Sequence, residues 1–305
     1  MVSISTLNKE SGAMSMIKKA LITAAGFGSR FLPITKTFPK EMLPIIDKPI
    51  IQYLVEECAE AGIKDIIIVV SPGEVSKFED YFFGRASNIR ALMYRQGKLD
   101  RWEKVKQVFD LPKISIFPQD ERLPYGNGRP ILTAKDALES EEAFVVLWGD
   151  DLVLSKVSAV KQILEDFESD PCDGILAVQE VPWEEVDRYG IVKLKEGTKN
   201  LIETVIEKPK RDQAPSNLAS YGRYVLTPKI FEHLRPGAIG LDDELWLQDA
   251  NDKVAKDGQM RVKKVEGEWL TTGDPLRYMK AHLKFMLAND KLGDDLKQWL
   301  KEQKF

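Results

Sequence analysis

Residues 21–44 read LITAAGFGSRFLPITKTFPKEMLP, an apolar run that delivers a glycine-rich turn carrying one arginine and, ten residues later, one lysine. The run from Lys19 to Ala25 predicts a buried strand, and the turn after it suits a polyphosphate. Gly26 and Gly28 let the backbone approach phosphate oxygens and offer its N–H groups, while Ser29 adds a hydroxyl. Arg30 contributes a forked cation and Lys40 a point-like one. Two better-known phosphate loops do not fit. A dinucleotide-binding turn needs a third glycine where this chain has Phe31, and a helix directly after, which Pro33 and Pro39 oppose. No Gly-Lys-Ser/Thr follows, so the P-loop of nucleotide hydrolases is excluded as well.

Working outward, apolar runs alternate with amphipathic ones, the pattern of a mainly parallel sheet covered by helices. A helix is expected from Pro49 to Ala61, stopped at Gly62, with further strands at Asp65–Ser71, Ile114–Phe117 and Phe144–Leu147. The last of these runs into Trp148-Gly149-Asp150-Asp151. Beyond about residue 170 the texture changes: DGILAVQEV, YGIVKLK, LIETVIEKP and LASYGRYVL are short strands between turns, more like an antiparallel sheet. The end of the chain from Pro275 reads as helices broken near Asn289-Asp290 and Gly293.

The chain has 305 residues and a formal net charge of −4, with acids and bases interspersed, which argues against a nucleic-acid or membrane surface as its partner. Two cysteines (Cys58, Cys172) and two histidines (His233, His282) leave little basis for disulfides or a His/Cys metal site. With no bilayer-length apolar segment and no signal-peptide core, the expected location is cytoplasmic. Met1 to Met16 reads as a disordered tail.

As a whole, the opening stretch resembles the sugar-nucleotidyltransferase signature, G-x-G-S/T-R-x-x-P-x-S/T followed by P-K-E/P-M-L-P. PKEMLP is similar in particular to the bacterial-type UTP:glucose-1-phosphate uridylyltransferase branch. The resemblance extends over roughly residues 17–300. It implies an α/β, Rossmann-like fold, with a mixed, mainly parallel central sheet flanked by helices, an added small antiparallel sheet and C-terminal helices. A single domain over 17–305 would comprise a nucleotide-binding part (17–170), a sugar-binding part (171–274) and the helices of 275–305. It further implies UTP and glucose 1-phosphate as substrates, Mg²⁺ as cofactor, and a homodimer or homotetramer.

Site residues follow from the same resemblance, with catalysis assigned to Arg30, Lys40 and Lys208. Gly149-Asp150-Asp151 matches the G-D-D/N motif and makes Asp150 the metal ligand, with Asp151 beside it; read alone, those acids are equally a solvated turn. Glu207-Lys208-Pro209 matches V-E-K-P, where the Glu meets sugar hydroxyls and the Lys the sugar phosphate, and Gly190 leaves room for the sugar. Tyr189 and Tyr224 read as packing residues. QDERLPYGNGRP (residues 119–130) is similar to Q-G-x-x-x-G-L/T-G-H-A with a longer loop, so Gln119 and the Gly126 backbone would read the base. Ala24, Ala25 and Glu41 complete the base pocket.

Two departures stand out: Arg129-Pro130 replace the usual His-Ala, and Thr271 stands where relatives carry an aspartate that often binds the metal. Three readings of the second follow. Mg²⁺ is held by Asp150 plus phosphates, Asp274 compensates, or the chain is a weak or inactive nucleotide-sugar-binding relative. Another nucleotide or sugar 1-phosphate, thymidylyl transfer included, is a further alternative. A Rossmann-type oxidoreductase is disfavoured by Phe31 and Pro33.

Overall fold

A computed structural model describes residues 17–303. The expected tail, Met1–Met16, lies outside the described residues. Thirteen strands run in chain order: β1 Lys19–Ala24, β2 Pro44–Ile45, β3 Lys48–Pro49, β4 Asp65–Val70, β5 Lys113–Pro118, β6 Phe144–Trp148, β7 Asp151–Leu154, β8 Gly174–Glu180, β9 Gly190–Leu194, β10 Ile202–Glu207, β11 Leu218–Leu226, β12 Met260–Lys264 and β13 Glu268–Thr271. Nine of them form one sheet with the path β10-β9-β11-β6-β1-β4-β5; β8 pairs with β11, and β12 with β8.

The parallel half is β6-β1-β4-β5, with Ala24 level with Val70, Val70 level with Pro118, and Thr23 level with Trp148. The inner strands β6, β1 and β4 are mostly apolar and buried while the edge strand β5 is half-buried, and alternate residues of the inner three serve opposite cores. Ile22, Ile66, Ile68, Val145 and Leu147 join the core that holds the helices Ile50–Glu60 and Ala159–Ser169. Leu21, Ile67, Val69, Phe144 and Val146 join the core on the other face, with the helix Leu247–Asp257. Truncating a wholly buried residue such as Leu54 to Ala would cost about 2–5 kcal/mol. Pro49 sits just before its helix rather than in the first turn, and Gly62, at φ 87°, takes the left-handed conformation that ends it.

The four late strands are antiparallel, as their turn-rich texture predicts, but they extend the main sheet rather than stand apart. β11 pairs antiparallel with β6 at residues 223–226 and with β9 at 219–220. Separate antiparallel pairs are β2/β3 and β7/β13. The helices Pro275–Leu287 and Gly293–Glu302 close the fold, with a break around Asn289.

Candidate active site

Because β1, β4, β5 and β6 are parallel and level, the segments following them emerge at one edge, where open α/β sheets bind ligands. The glycine turn leaves β1 there, Gln119 follows β5, and Gly149-Asp150 follows β6. The antiparallel strands bring in residues from the other half: Gly190 is level with both Ser220 and Glu207.

Gly28 holds φ 59° at the start of the one-turn helix Ser29–Phe31, and the Thr35 hydroxyl donates to its carbonyl at 2.8 Å. A Cβ on Gly28 would meet Thr35 at 2.9 Å, so both space and conformation call for glycine. Ala24 and Ala25 are buried at the root of the turn, whereas Gly26, Ser29 and Arg30 are exposed. Lys40 reaches across to Asp150, Nζ to Oδ2 at 2.5 Å, and its ammonium also lies 3.8 Å from Glu41. Burial by itself would lower the Lys40 ammonium, but the charges of Asp150 and Glu41 outweigh it and raise its pKa. At Asp150 burial opposes ionisation, and the adjacent Lys40 more than reverses this, holding the carboxyl below its ordinary range.

Glu41 is almost wholly buried and its Oε2 has no hydrogen-bond partner. Burial, only partly offset by Lys40, pushes its carboxyl up to about 7. A Cβ on Gly149 would meet Glu41 at 2.9 Å and the Thr23 carbonyl at 2.3 Å, so the glutamate packs beneath the Gly149-Asp150 turn.

The β7/β13 ladder sets Thr271 opposite Asp151. Thr272 then donates both its N–H (2.7 Å) and its hydroxyl (2.9 Å) to the Asp150 carbonyl. Arg30 Nη1 donates to the Gly273 carbonyl at 3.4 Å. A Cβ placed on Gly273 would lie 3.2 Å from Asp150 Oδ2, 3.6 Å from the Thr271 hydroxyl and 3.7 Å from Arg30 Nη1, so these three groups surround one spot. The structure gives Asp274 a task other than compensation. Asp274 caps the helix Pro275–Leu287, accepting from Arg277 N at 3.0 Å and from Arg277 Nη1 at 2.8 Å, with Arg188 at 3.7 Å. Both its oxygens accept hydrogen bonds from Arg277.

Among the described residues no group of three or more His, Cys, Asp or Glu could hold a metal. Asp150 nevertheless suits Mg²⁺, because its carboxylate already faces a cation, the Lys40 ammonium. Mg²⁺ commonly takes one or two protein carboxylates and completes its shell with phosphates and water.

The residues expected to meet the sugar form a second group. The Glu207 side chain is mostly buried, and its carboxyl is pushed up to about 7 by that burial, against the pull of Lys208 and with Asp249 and Glu244 adding to the rise. Lys208 takes a left-handed φ of 44°, strained for a non-glycine residue, and its ammonium sits 4.1 Å above the Trp246 ring. The room expected at Gly190 is filled: a Cβ there would meet Gln248 at 2.9 Å, and Gln248 Nε2 donates to Ser220 Oγ (2.6 Å) and the Tyr224 hydroxyl (3.3 Å). Gly190 is therefore required by this buried amide. The tyrosines pack as expected, Tyr189 edge-on to Trp269 at 4.9 Å and Tyr224 edge-on to Trp148 at 5.3 Å.

The long loop from Gln119 is pinned to residues 245–247. Gly126, at φ 137°, lies against residue 245, whose N–H donates to the Tyr125 carbonyl at 2.6 Å. Asn127 Oδ1 accepts from Leu247 N at 2.8 Å, and Arg129 Nε donates to the Pro124 carbonyl at 2.8 Å. Tyr125 stacks across the mouth on Phe27, centroids 6.5 Å apart. Trp246, Gln248 and Phe27 had no sequence signal of their own; Trp246 and Gln248 precede and open a helix far along the chain.

The sequence profile of the nucleotidyl transferase family matches residues 19–286. The chain belongs to that family. Among its relatives, a UTP–glucose-1-phosphate uridylyltransferase of Staphylococcus epidermidis is 41% identical over 291 residues, covering 95% of this chain and 99% of its own length. One from Staphylococcus haemolyticus is 40% identical over 294 residues, 96% of this chain and 100% of the other. Solved structures agree. A UDP-glucose pyrophosphorylase complexed with UDP-glucose superposes with a TM-score of 0.78 at 36% identity, over 90% of this chain and 100% of that one. A UTP-bound enzyme from Acinetobacter baumannii gives 0.83 at 32% identity, over 94% and 100%.

Proposed function

We propose that this member of the family makes UDP-glucose and diphosphate from UTP and glucose 1-phosphate. The observation that carries the reading is the convergence of Lys40, Arg30 and Asp150 on one edge of the sheet that also bears Glu207 and Lys208. A sugar 1-phosphate is already anionic, so its oxygen attacks the α-phosphorus of UTP without a general base; the new P–O bond forms as the bond to diphosphate breaks. The obstacle is repulsion between two polyanions, and the catalytic task is positioning and electrostatics. The Gly26–Ser29 backbone and Arg30 cradle the triphosphate, and Lys40 leaves Asp150 to meet developing phosphate charge. Lys208 holds the sugar phosphate and Glu207 the sugar hydroxyls. Ala24, Ala25, Gln119, Glu41 and the Gly126 backbone form the base pocket. Mg²⁺ held by Asp150 and phosphate oxygens would supply further charge neutralisation.

Self-association as a homodimer or homotetramer belongs to the same proposal, supported by exposed Leu276, Met279 and Leu283 along one side of the last but one helix. No helix of the described residues is long and apolar enough to cross a membrane. A cytoplasmic location is part of the proposal because UTP is its substrate. The test is diphosphate release with UTP, dTTP, ATP and GTP against glucose, galactose and N-acetylglucosamine 1-phosphates. UTP with glucose 1-phosphate should give the highest kcat/KM. UDP-glucose binding without diphosphate release from any pair would replace the transferase by a sensor.

A further inference from the structure

Beneath the Asp150-Asp151 turn lies a charge that the proposed chemistry does not use. Arg223 of β11 is wholly buried, and Glu57 of the helix Ile50–Glu60 is mostly buried. Their contact is a fork, Nε to Oε1 at 2.8 Å and Nη2 to Oε2 at 2.6 Å. The remaining donors go to backbone: Nη2 to the Asp151 carbonyl at 3.0 Å and Nη1 to the Gly222 carbonyl at 2.6 Å. Gly222 N in turn donates to Asp151 Oδ2 at 3.0 Å, and Glu57 Oε1 also accepts from Val160 N at 3.2 Å. The ion pair thus joins two helices, β11 and the start of β7.

Such a buried pair adds little to stability, since the cost of desolvating both ions is close to what their attraction returns, and an apolar pair of similar volume is often as stable. What an apolar pair cannot reproduce is the fixed hold on Asp151. We propose that Glu57 and Arg223 are positioning residues that fasten Asp151 by its carbonyl and, through Gly222, by its carboxylate, leaving Asp150 alone of the two acids to face Lys40 and the metal. This rests on the reading of Asp150 as the metal-holding carboxylate.

The test replaces the pair by an apolar one, Glu57→Leu with Arg223→Met, and compares it with Arg223→Lys, which keeps the charge and loses the fork. Metal affinity is read by Mn²⁺ paramagnetic resonance with UTP and no sugar phosphate, beside kcat and the KM for glucose 1-phosphate. The double variant should melt near wild type, bind Mn²⁺ about 10–100-fold more weakly, and lose kcat. Its KM for glucose 1-phosphate should stay within about twofold, because Lys208 and Glu207 are untouched. A folded double variant with wild-type Mn²⁺ affinity and kcat overturns the inference. Should the double variant fail to fold, wild-type Mn²⁺ affinity in folded Arg223→Lys overturns it equally. Asp150→Asn separates the two levels: if it keeps Mn²⁺ affinity and activity, the parent reading is wrong, whereas its failure beside an intact double variant sinks only the role of the pair.

Discussion

Asp150 already carries a cation, the Lys40 ammonium, and that contact links two substitutions. Lys40→Ala removes the charge expected to meet the transition state, so kcat should fall at least about a hundredfold, the order seen when one oxyanion donor is lost. The same change frees Asp150, so Mn²⁺ binding to the nucleotide-free protein, read by paramagnetic resonance, should strengthen. Turnover near wild type in a folded variant would end the assignment. Thr271 faces the same spot from β13, and Thr271→Asp should lower the Mg²⁺ needed for half-maximal rate by adding a second hard ligand. Asp274→Asn, by contrast, weakens a helix cap and should leave that Mg²⁺ requirement unchanged, with a stability loss of about 1 kcal/mol or less in thermal melts.

Elements explain why parts of this site could be read before folding and others could not. The phosphate turn is contiguous, so Gly28, with its positive φ and Thr35 in contact, is written in local sequence. The Asp-Pro at 274–275 was equally local, a cap followed by a proline at the first helical position, and read as a cap it would have removed Asp274 from the metal. Glu57 and Arg223 had no such signal, being 166 residues apart, and an arginine inside a strand run gives no hint of burial. Likewise, pairing of β7 with β13 joins two four-residue strands more than a hundred residues apart, and only that ladder brings Thr271 opposite Asp151. The turn after β6 offers a sharp test of packing. Gly149→Ala would drive a methyl to 2.3 Å from the Thr23 carbonyl, so β1 and β6 must separate at the site. Overpacking of this kind costs about 1–3 kcal/mol, and the variant should melt several degrees lower and lose most activity. An unchanged melting temperature with full activity would show that the turn relaxes freely.

At the scale of the whole molecule, two buried carboxyls couple stability to pH. Glu41 and Glu207 are both pushed from the ordinary 4.5 up to about 7, chiefly by burial. Between those values the folded chain binds more protons than the unfolded one, so their contribution to stability is full below 4.5 and lost as pH rises through about 7. Glu207→Gln removes that loss. Its melting temperature should exceed wild type at pH 8 by a few degrees, and the gap should close toward pH 5 in calorimetric scans. A gap that widens on acidification would refute the burial account.

The continuity of the sheet has a consequence for how two substrates are brought into register. Strand β6, which leads into Asp150, lies between β1, which leads into the glycine turn, and β11, which leads through β9 to the strand ending at Glu207. Neighbouring strands stand about 4.8 Å apart, so the backbone ladder acts as a fixed ruler across which nucleophile and electrophile are spaced. No hinge between separate bodies is needed to set that interval. A slip of one residue between β6 and β11 would move Gly222 off Asp151 and shift one half of the ruler against the other, so alignment of the proposed reacting groups depends on strand pairing.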